Sequence, residues 1–226
     1  MKKTIPLFLL LTTVGCASAL TTGLVIFKGT DVKPDCDILL TGDKRVAVVP
    51  RSVYSNAYEM QNAPREIARQ VNVLLEKNIL ENHRLNQRNK KLKIVEQSKV
   101  ETWLDNCNND FASFVEVGRD KSIKADVVIG IDIIGFRIRD PQNASLTQGR
   151  CEVQIQAIDC ETGKVEARET LMVVYPPNMP FPLAPNKEQQ FRSEFIRVVS
   201  ERVAALFHYY DKNSIDRFDG DNLGMH

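Results

Sequence analysis

Apolar residues first gather in a short continuous run. Val46, Ala47, Val48 and Val49 stand together after the turn residues Thr41, Gly42 and Asp43, and Pro50 closes them. A brief apolar run between breakers predicts a buried strand. The period then changes. After Asn62, Ala63 and Pro64, the residues Ile67, Val71, Leu74, Leu75 and Ile79 recur every three or four positions. That spacing predicts an amphipathic helix, capped by Asn62 with Pro64 in its first turn. Residues 82–91 are polar and carry Arg84, Arg88, Lys90 and Lys91, which reads as a solvated connection. Leu92, Ile94 and Val95 predict a second strand. Ser98 and Glu101 then have capping-box spacing, and Val100, Trp103 and Leu104 give the next helix an apolar face. Asp110 is expected to open a further short helix through Phe111, Phe114 and Val115, ending near Gly118.

Residues 125–138 carry the strongest strand pattern, with Val127, Val128, Ile129, Ile131, Ile133 and Ile134 nearly unbroken. Runs this apolar belong to central strands. From 150 to 160 the chain alternates, with Val153, Ile155 and Ala157 against Glu152, Gln154 and Gln156, as a half-buried strand does. The turn residues 159–164 and the return from 165 to 175 complete a β-hairpin. Five prolines between 176 and 185 exclude helix and inner strand there. Asn186 is expected to cap a last helix, with Phe191, Phe195, Val198, Val199, Val203 and Leu206 on one stripe. The order β-α-β-α-β-β-β-α implies an α/β fold: a mixed sheet of about five strands with helices packed on it.

The first residues are different in kind. Lys2 and Lys3 precede an uncharged apolar stretch from 5 to 14, the length of a signal-peptide core and too short to span a bilayer. It ends in Thr13-Val14-Gly15-Cys16, which resembles the lipobox of bacterial lipoproteins, with Thr13 where leucine is usual. Acylation of Cys16 is the preferred reading. Cleavage after Ala17-Ser18-Ala19, or an uncleaved helix over residues 5–27, are the alternatives. All three export the domain. The expected layout is a leader over 1–19, a linker over 20–43, the domain over 44–210 and a polar tail over 211–226.

Charge narrows the function classes. The formal net charge of +1 falls to −1 once Lys2 and Lys3 leave with the leader. A near-neutral domain exerts no long-range pull on a polyanion, which argues against nucleic acid as partner. Five cysteines, Cys16, Cys36, Cys107, Cys151 and Cys160, include no C-x-x-C pair, so neither a zinc ribbon nor a redox dithiol is indicated. In an oxidising compartment the last four have the option of disulfides, with connectivity open and Cys151–Cys160 the least favoured pair. No phosphate-binding glycine loop, nucleophile elbow or H-E-x-x-H occurs. Asp126 and Asp132 are six strand residues apart, roughly 20 Å, too far to share one reaction centre. Trp103, the only tryptophan, reads as core.

Several segments together carry a resemblance. They are Lys44 through Pro50, the helix from Pro64, Glu116-Val117-Gly118-Arg119 leading to Ala125-Asp126-Val127-Val128-Ile129-Gly130, and the hairpin from Val153 to Val165, with its aspartate–x–x–threonine–glycine–x–valine turn. They resemble a group of bacterial envelope lipoproteins that includes penicillin-binding-protein activators, the curli-secretion lipoprotein and the amino-terminal domain of the Tol-Pal β-propeller protein. The resemblance covers roughly residues 44–206. It implies an α/β envelope domain that acts by binding partners, without catalysis or cofactor. The proline-rich segment and the tail after Tyr210 depart from that pattern, and no membrane-inserting hairpin of the secretion-channel type is evident.

The expectation is therefore a non-enzymatic envelope lipoprotein on the periplasmic side. It would be held to the membrane by lipid at Cys16 and would bind another envelope protein. Met179, Phe181 and Leu183 of the proline-rich loop are the candidate contact residues, since prolines lower the cost of ordering an extended apolar segment. The competing reading of that loop is a rigid cover over the core. A binding protein for small ligands or cell-wall fragments, and a hydrolase, are the alternative functions.

Overall fold

The computed structural model describes residues 31–40, 43–53, 62–81, 92–109 and 111–211. The leader with Cys16, the connection 82–91, Asp110 as a helix start and the tail 212–226 lie outside the described residues. In chain order the elements are β1 (Asp31–Val32), β2 (Arg45–Ser52), α1 (Ala63–Glu81), β3 (Lys93–Ile94), α2 (Gln97–Asn106), α3 (Phe114–Arg119), β4 (Val127–Arg139), β5 (Leu146–Asp159), β6 (Val165–Tyr175), β7 (Phe181–Pro182), α4 (Glu188–Ala205) and β8 (Tyr210–Asp211). The sheet runs β3-β2-β4-β5-β6. β2 is parallel to both β3 and β4, while β4, β5 and β6 are antiparallel. This is the expected mixed sheet, with β7 added beside β5 and a separate two-stranded pairing of β1 with β8.

The pleat divides the side chains between two cores. On one face Val46, Val48, Ile129, Ile131, Ile133, Val153, Ile155 and Val173 pack under α1 and α4. On the other, Ala47, Val49, Val128 and Ile158 pack under α2 and α3 with Val100, Leu104, Phe114 and Val117. Gly130 lets α3 come close. A Cβ there would sit 2.5 Å from the Phe114 ring, so a side chain would displace the helix. At the hairpin turn, Gly163 takes φ +74°, and its N–H donates to the Asp159 carbonyl at 2.8 Å.

Partway along β4 the register against β5 shifts between Ile133 and Gly135. The extra residue reverses the parity of the strand, so Phe136 and Ile138, rather than Gly135 and Arg137, continue the α4-facing core. Residues 31–40, inside the stretch read as linker, pack on the domain. Cys36, Ile38 and Leu39 are buried there, and the Cys36 N–H donates to the Leu206 carbonyl at 2.9 Å.

Helix starts differ from the expected ones for local reasons. α2 begins at Gln97 behind Glu96, which makes no side-chain cap. Glu101 pairs instead with Arg69 of α1 through two bonds of 2.5 and 2.6 Å. A bidentate charged bond outweighs a neutral capping bond. α3 is capped by Ser113, whose hydroxyl accepts from the Glu116 N–H, while the Glu116 carboxylate accepts from the Ala112 N–H. Pro185 sets a tight turn over 185–187, so Asn186 lies inside that turn and α4 starts at Glu188 without a side-chain cap. Trp103 is half-buried at the rim of the second core, edge-on to Phe111.

Candidate functional site: an uncovered sheet face

Helices α2 and α3 cover β2, β4 and the Ile158 end of β5 on their face. Beyond them, among the described residues, the sheet lies open. Register places Asp132, Gln154 and Thr170 in one cross-strand row, and Gly130, Gln156 and Arg168 in the next; Glu152 and Met172 form a third with Gly135. Arg168, Thr170 and Met172 are exposed, with Met172 at 62%.

The inner end of this face is tied down by charge. Arg51 donates to both oxygens of buried Asp132, at 2.6 and 3.0 Å, and its guanidinium lies 4.6 Å from the centre of the Phe114 ring. Planar guanidinium suits both contacts at once. Gln156 donates to Asp132 at 3.4 Å, and Arg168 donates to the Gln156 side-chain oxygen at 3.4 Å. One polar chain thus runs from the second core to the exposed β6 side. It places donors and acceptors on the side of the sheet that the described helices leave open. Asp132 is a buried, hydrogen-bonded acid within β4. Asp126 precedes β4 and accepts from the Arg45 N–H at 2.7 Å.

The proline-rich loop separates its three candidate residues. Met179 is 75% exposed. Phe181 is half-buried, paired through β7 with Thr147 and edge-on to Phe191 at 5.9 Å. Leu183 also packs against the α4-side core. The expected result is a split between neighbours. Met179→Ser should leave the melting temperature within a degree or two, while Phe181→Ser should cost about 2–3 kcal/mol through lost packing on Phe191. Thermal denaturation of the two single variants checks it, and equal effects would contradict this placement.

The remaining reactive groups are held quiet. Cys36, Cys107, Cys151 and Cys160 are free thiols. Burial pushes Cys151 up to about 12 and Cys160 to about 11, so both stay protonated at neutral pH. No group of three or more His, Cys, Asp or Glu side chains placed to hold a metal occurs among the described residues. An open hollow of about 580 Å³ beside the hairpin turn is lined by Asp43, Lys44, Arg119, Asp126, Asp159 and Glu161. Its Arg119 is committed to the carbonyls of Cys160 and Glu161.

His208 is buried between Asn78, 3.1 Å from Nε2, and the Tyr209 carbonyl, 2.8 Å from Nδ1. Burial pushes its pKa below 6.5. The folded state therefore favours the neutral ring, and the unfolded chain takes up the proton first. Its contribution is complete above about pH 6.5 and is lost as pH falls through the lowered value. Glu201 acts oppositely, because burial raises its carboxyl and acid favours it. His208→Gln keeps a donor and an acceptor without titrating. The stability difference between wild type and this variant should shift against wild type on acidification from pH 7 to 5. A constant difference across that range would contradict it.

No protein-family model matches the chain, and no curated protein matches it. Among solved structures it is similar to the PelC dodecamer from Paraburkholderia phytofirmans, at 12% identity and TM-score 0.44 over 79% of this chain and 96% of that one. It is also similar to lipoprotein GNA1162 from Neisseria meningitidis, at 10% identity and TM-score 0.36 over 71% of this chain and 97% of that one. A third likeness is to the hypothetical protein CT253 from Chlamydia trachomatis, at 13% identity and TM-score 0.39 over 72% of this chain and 91% of that one. At these scores the likenesses carry no residue role across.

Proposed function

We propose that this chain is an exported bacterial lipoprotein of the cell envelope. Its α/β domain is tethered through Cys16 and binds another envelope protein without catalysing a reaction. The observation that carries export and tethering is the order Lys2-Lys3, an uncharged apolar stretch and Thr13-Val14-Gly15-Cys16. The kinship with penicillin-binding-protein activators, the curli-secretion lipoprotein and the Tol-Pal propeller amino-terminal domain belongs to this same reading. The partner contact is the uncovered face of β5 and β6, where Arg168, Thr170 and Met172 stand exposed beside a row of glutamines. Met179, exposed on the loop after β6, is a further contact residue; Phe181 and Leu183 support that loop from beneath.

The test uses the full-length chain in its own membranes, with partners recovered by affinity purification after solubilisation. Arg168→Glu combined with Met172→Glu places like charge and a desolvation penalty in the contact. Both side chains are exposed, so the melting temperature should hold within a few degrees while partner recovery is lost. Undiminished recovery from the folded variant would exclude this face. In parallel, Cys16→Ser should move the protein out of the membrane fraction.

A further inference from the structure

The bulge in β4 re-aims a charged side chain. In an unbroken strand Arg137 would share the face of Ile133 and point under α4. The extra residue turns it to the opposite side, where it lies directly across from Arg150 of β5. Val174 of β6 completes that cross-strand row, which follows the row of Gly135, Glu152 and Met172 on the uncovered face. Both arginines are exposed. Like charges directly opposite in an antiparallel pair repel and lower stability. Among the described residues Arg137 makes no hydrogen bond or ion pair that would offset this.

Arg150 is held in place from below. Gln148 is 4% exposed, and its Nε2 donates to the Pro176 carbonyl at 3.1 Å. That turns its Oε1 toward Arg150, which donates to it from Nε at 3.2 Å and from Nη2 at 2.8 Å. Nη1 stays uncommitted among the described residues. A guanidinium already ordered by a buried amide loses little further freedom when it meets an anion.

Charge and shape select the kind of anion. Arg51 and Asp132 satisfy each other. The remaining positions of the uncovered rows hold Arg137, Arg150 and Arg168 against Glu152 alone. Three arginines are too few for a lipid surface, which calls for clusters of about four to eight basic residues, or for a nucleic acid, which calls for many phosphate contacts. They suit the planar carboxylate of aspartate or glutamate, which takes two parallel N–H bonds from one guanidinium. Met172, 62% exposed in the adjoining row, adds apolar area, and arginine and methionine are both enriched where proteins meet.

We propose that Arg137 and Arg150 form a carboxylate-binding pair on the uncovered face, and that the partner seated there is a protein presenting aspartate or glutamate side chains. This rests on the reading that this face binds another envelope protein, and adds the chemistry of the partner and an anchor on β4.

The test places a benzophenone amino acid at position 172 (Met172→p-benzoylphenylalanine) in the full-length chain in its own membranes, followed by irradiation and sequencing of the linked peptide. The expected adduct is with a different protein, at a peptide carrying aspartate or glutamate within a few residues of the link. Arg137→Glu in the same background should lower the adduct yield about ten-fold or more. Its melting temperature should hold or rise, because a glutamate facing Arg150 replaces repulsion with attraction, and this opposite pair is closer than the diagonal one to Glu152. Changing the acid of the linked peptide to arginine should restore the adduct of Arg137→Glu. A protein adduct that persists undiminished in Arg137→Glu, or that forms at a peptide without acids, sinks the carboxylate pair and leaves the partner-binding face standing. Adducts with lipid or a second copy alone, or no adduct, would overturn both. A lowered melting temperature in Arg137→Glu would make Arg137 a structural residue and overturn the proposal as well.

Discussion

Ile131→Asp should leave no folded protein at room temperature. Ile131 lies at the middle of β4, is fully buried, and is flanked by β2 and β5, with Pro50 on one side and Ile155 on the other. Its side chain points into the core under α1 and α4, among Ile129, Ile133 and Ile155. An aspartate there loses the packing of a large aliphatic group and brings a charge with no partner into an apolar layer. Each loss costs several kcal/mol, and together they exceed the roughly 5–15 kcal/mol margin or consume most of it. Circular dichroism and a melting curve check the outcome. A cooperative transition at the wild-type temperature would mean that β4 is not the central strand.

Arg51→Ala should be the next most damaging of the changes considered, although Arg51 is partly exposed. Asp132 keeps only 4% exposure, against 32% for Arg51. Removing the guanidinium strands a buried carboxylate, leaving it only the 3.4 Å bond from Gln156. It also strips the cation from the faces of Phe114 and Phe111. A fully buried broken pair costs roughly 3–5 kcal/mol; water reaching the vacated Arg51 position lowers this to about 2–4 kcal/mol. The double change Arg51→Met with Asp132→Leu removes both charges and should recover most of the loss. Urea denaturation of the single and double variants reads the coupling directly. Equal stability of Arg51→Ala and wild type would show that the pair contributes nothing.

The sequence pattern carried the sheet well because each strand of the core has one dominant period. Val46 through Val49, the isoleucines of β4 and the alternation at Val153, Ile155 and Ala157 each allow one burial scheme. The bulge at Ile134 was hidden because residues 133–136 are apolar on both parities or lack a side chain, so a change of face leaves no trace. Helix starts failed where long-range pairing competed with local capping. Nothing near Glu101 in sequence announces Arg69, 32 residues away. Ser113 and Glu116, by contrast, have the capping-box spacing in plain view. The short pairing of β1 with β8 joins two ends of the described chain through two residues each, too few for any period to register. The uncovered face is a matter of which helices cover which strands. That depends on the lengths of α2 and α3 against the width of the sheet, while the alternation of Gln154 and Gln156 announces only that one side is polar.

The mature N-terminus tests the proposed tether most directly. Intact-mass and N-terminal peptide mass spectrometry of the protein purified from its own membranes should show a chain starting at Cys16 and carrying a diacylglyceryl group. A free N-terminus at Leu20, or an intact Met1, would contradict it.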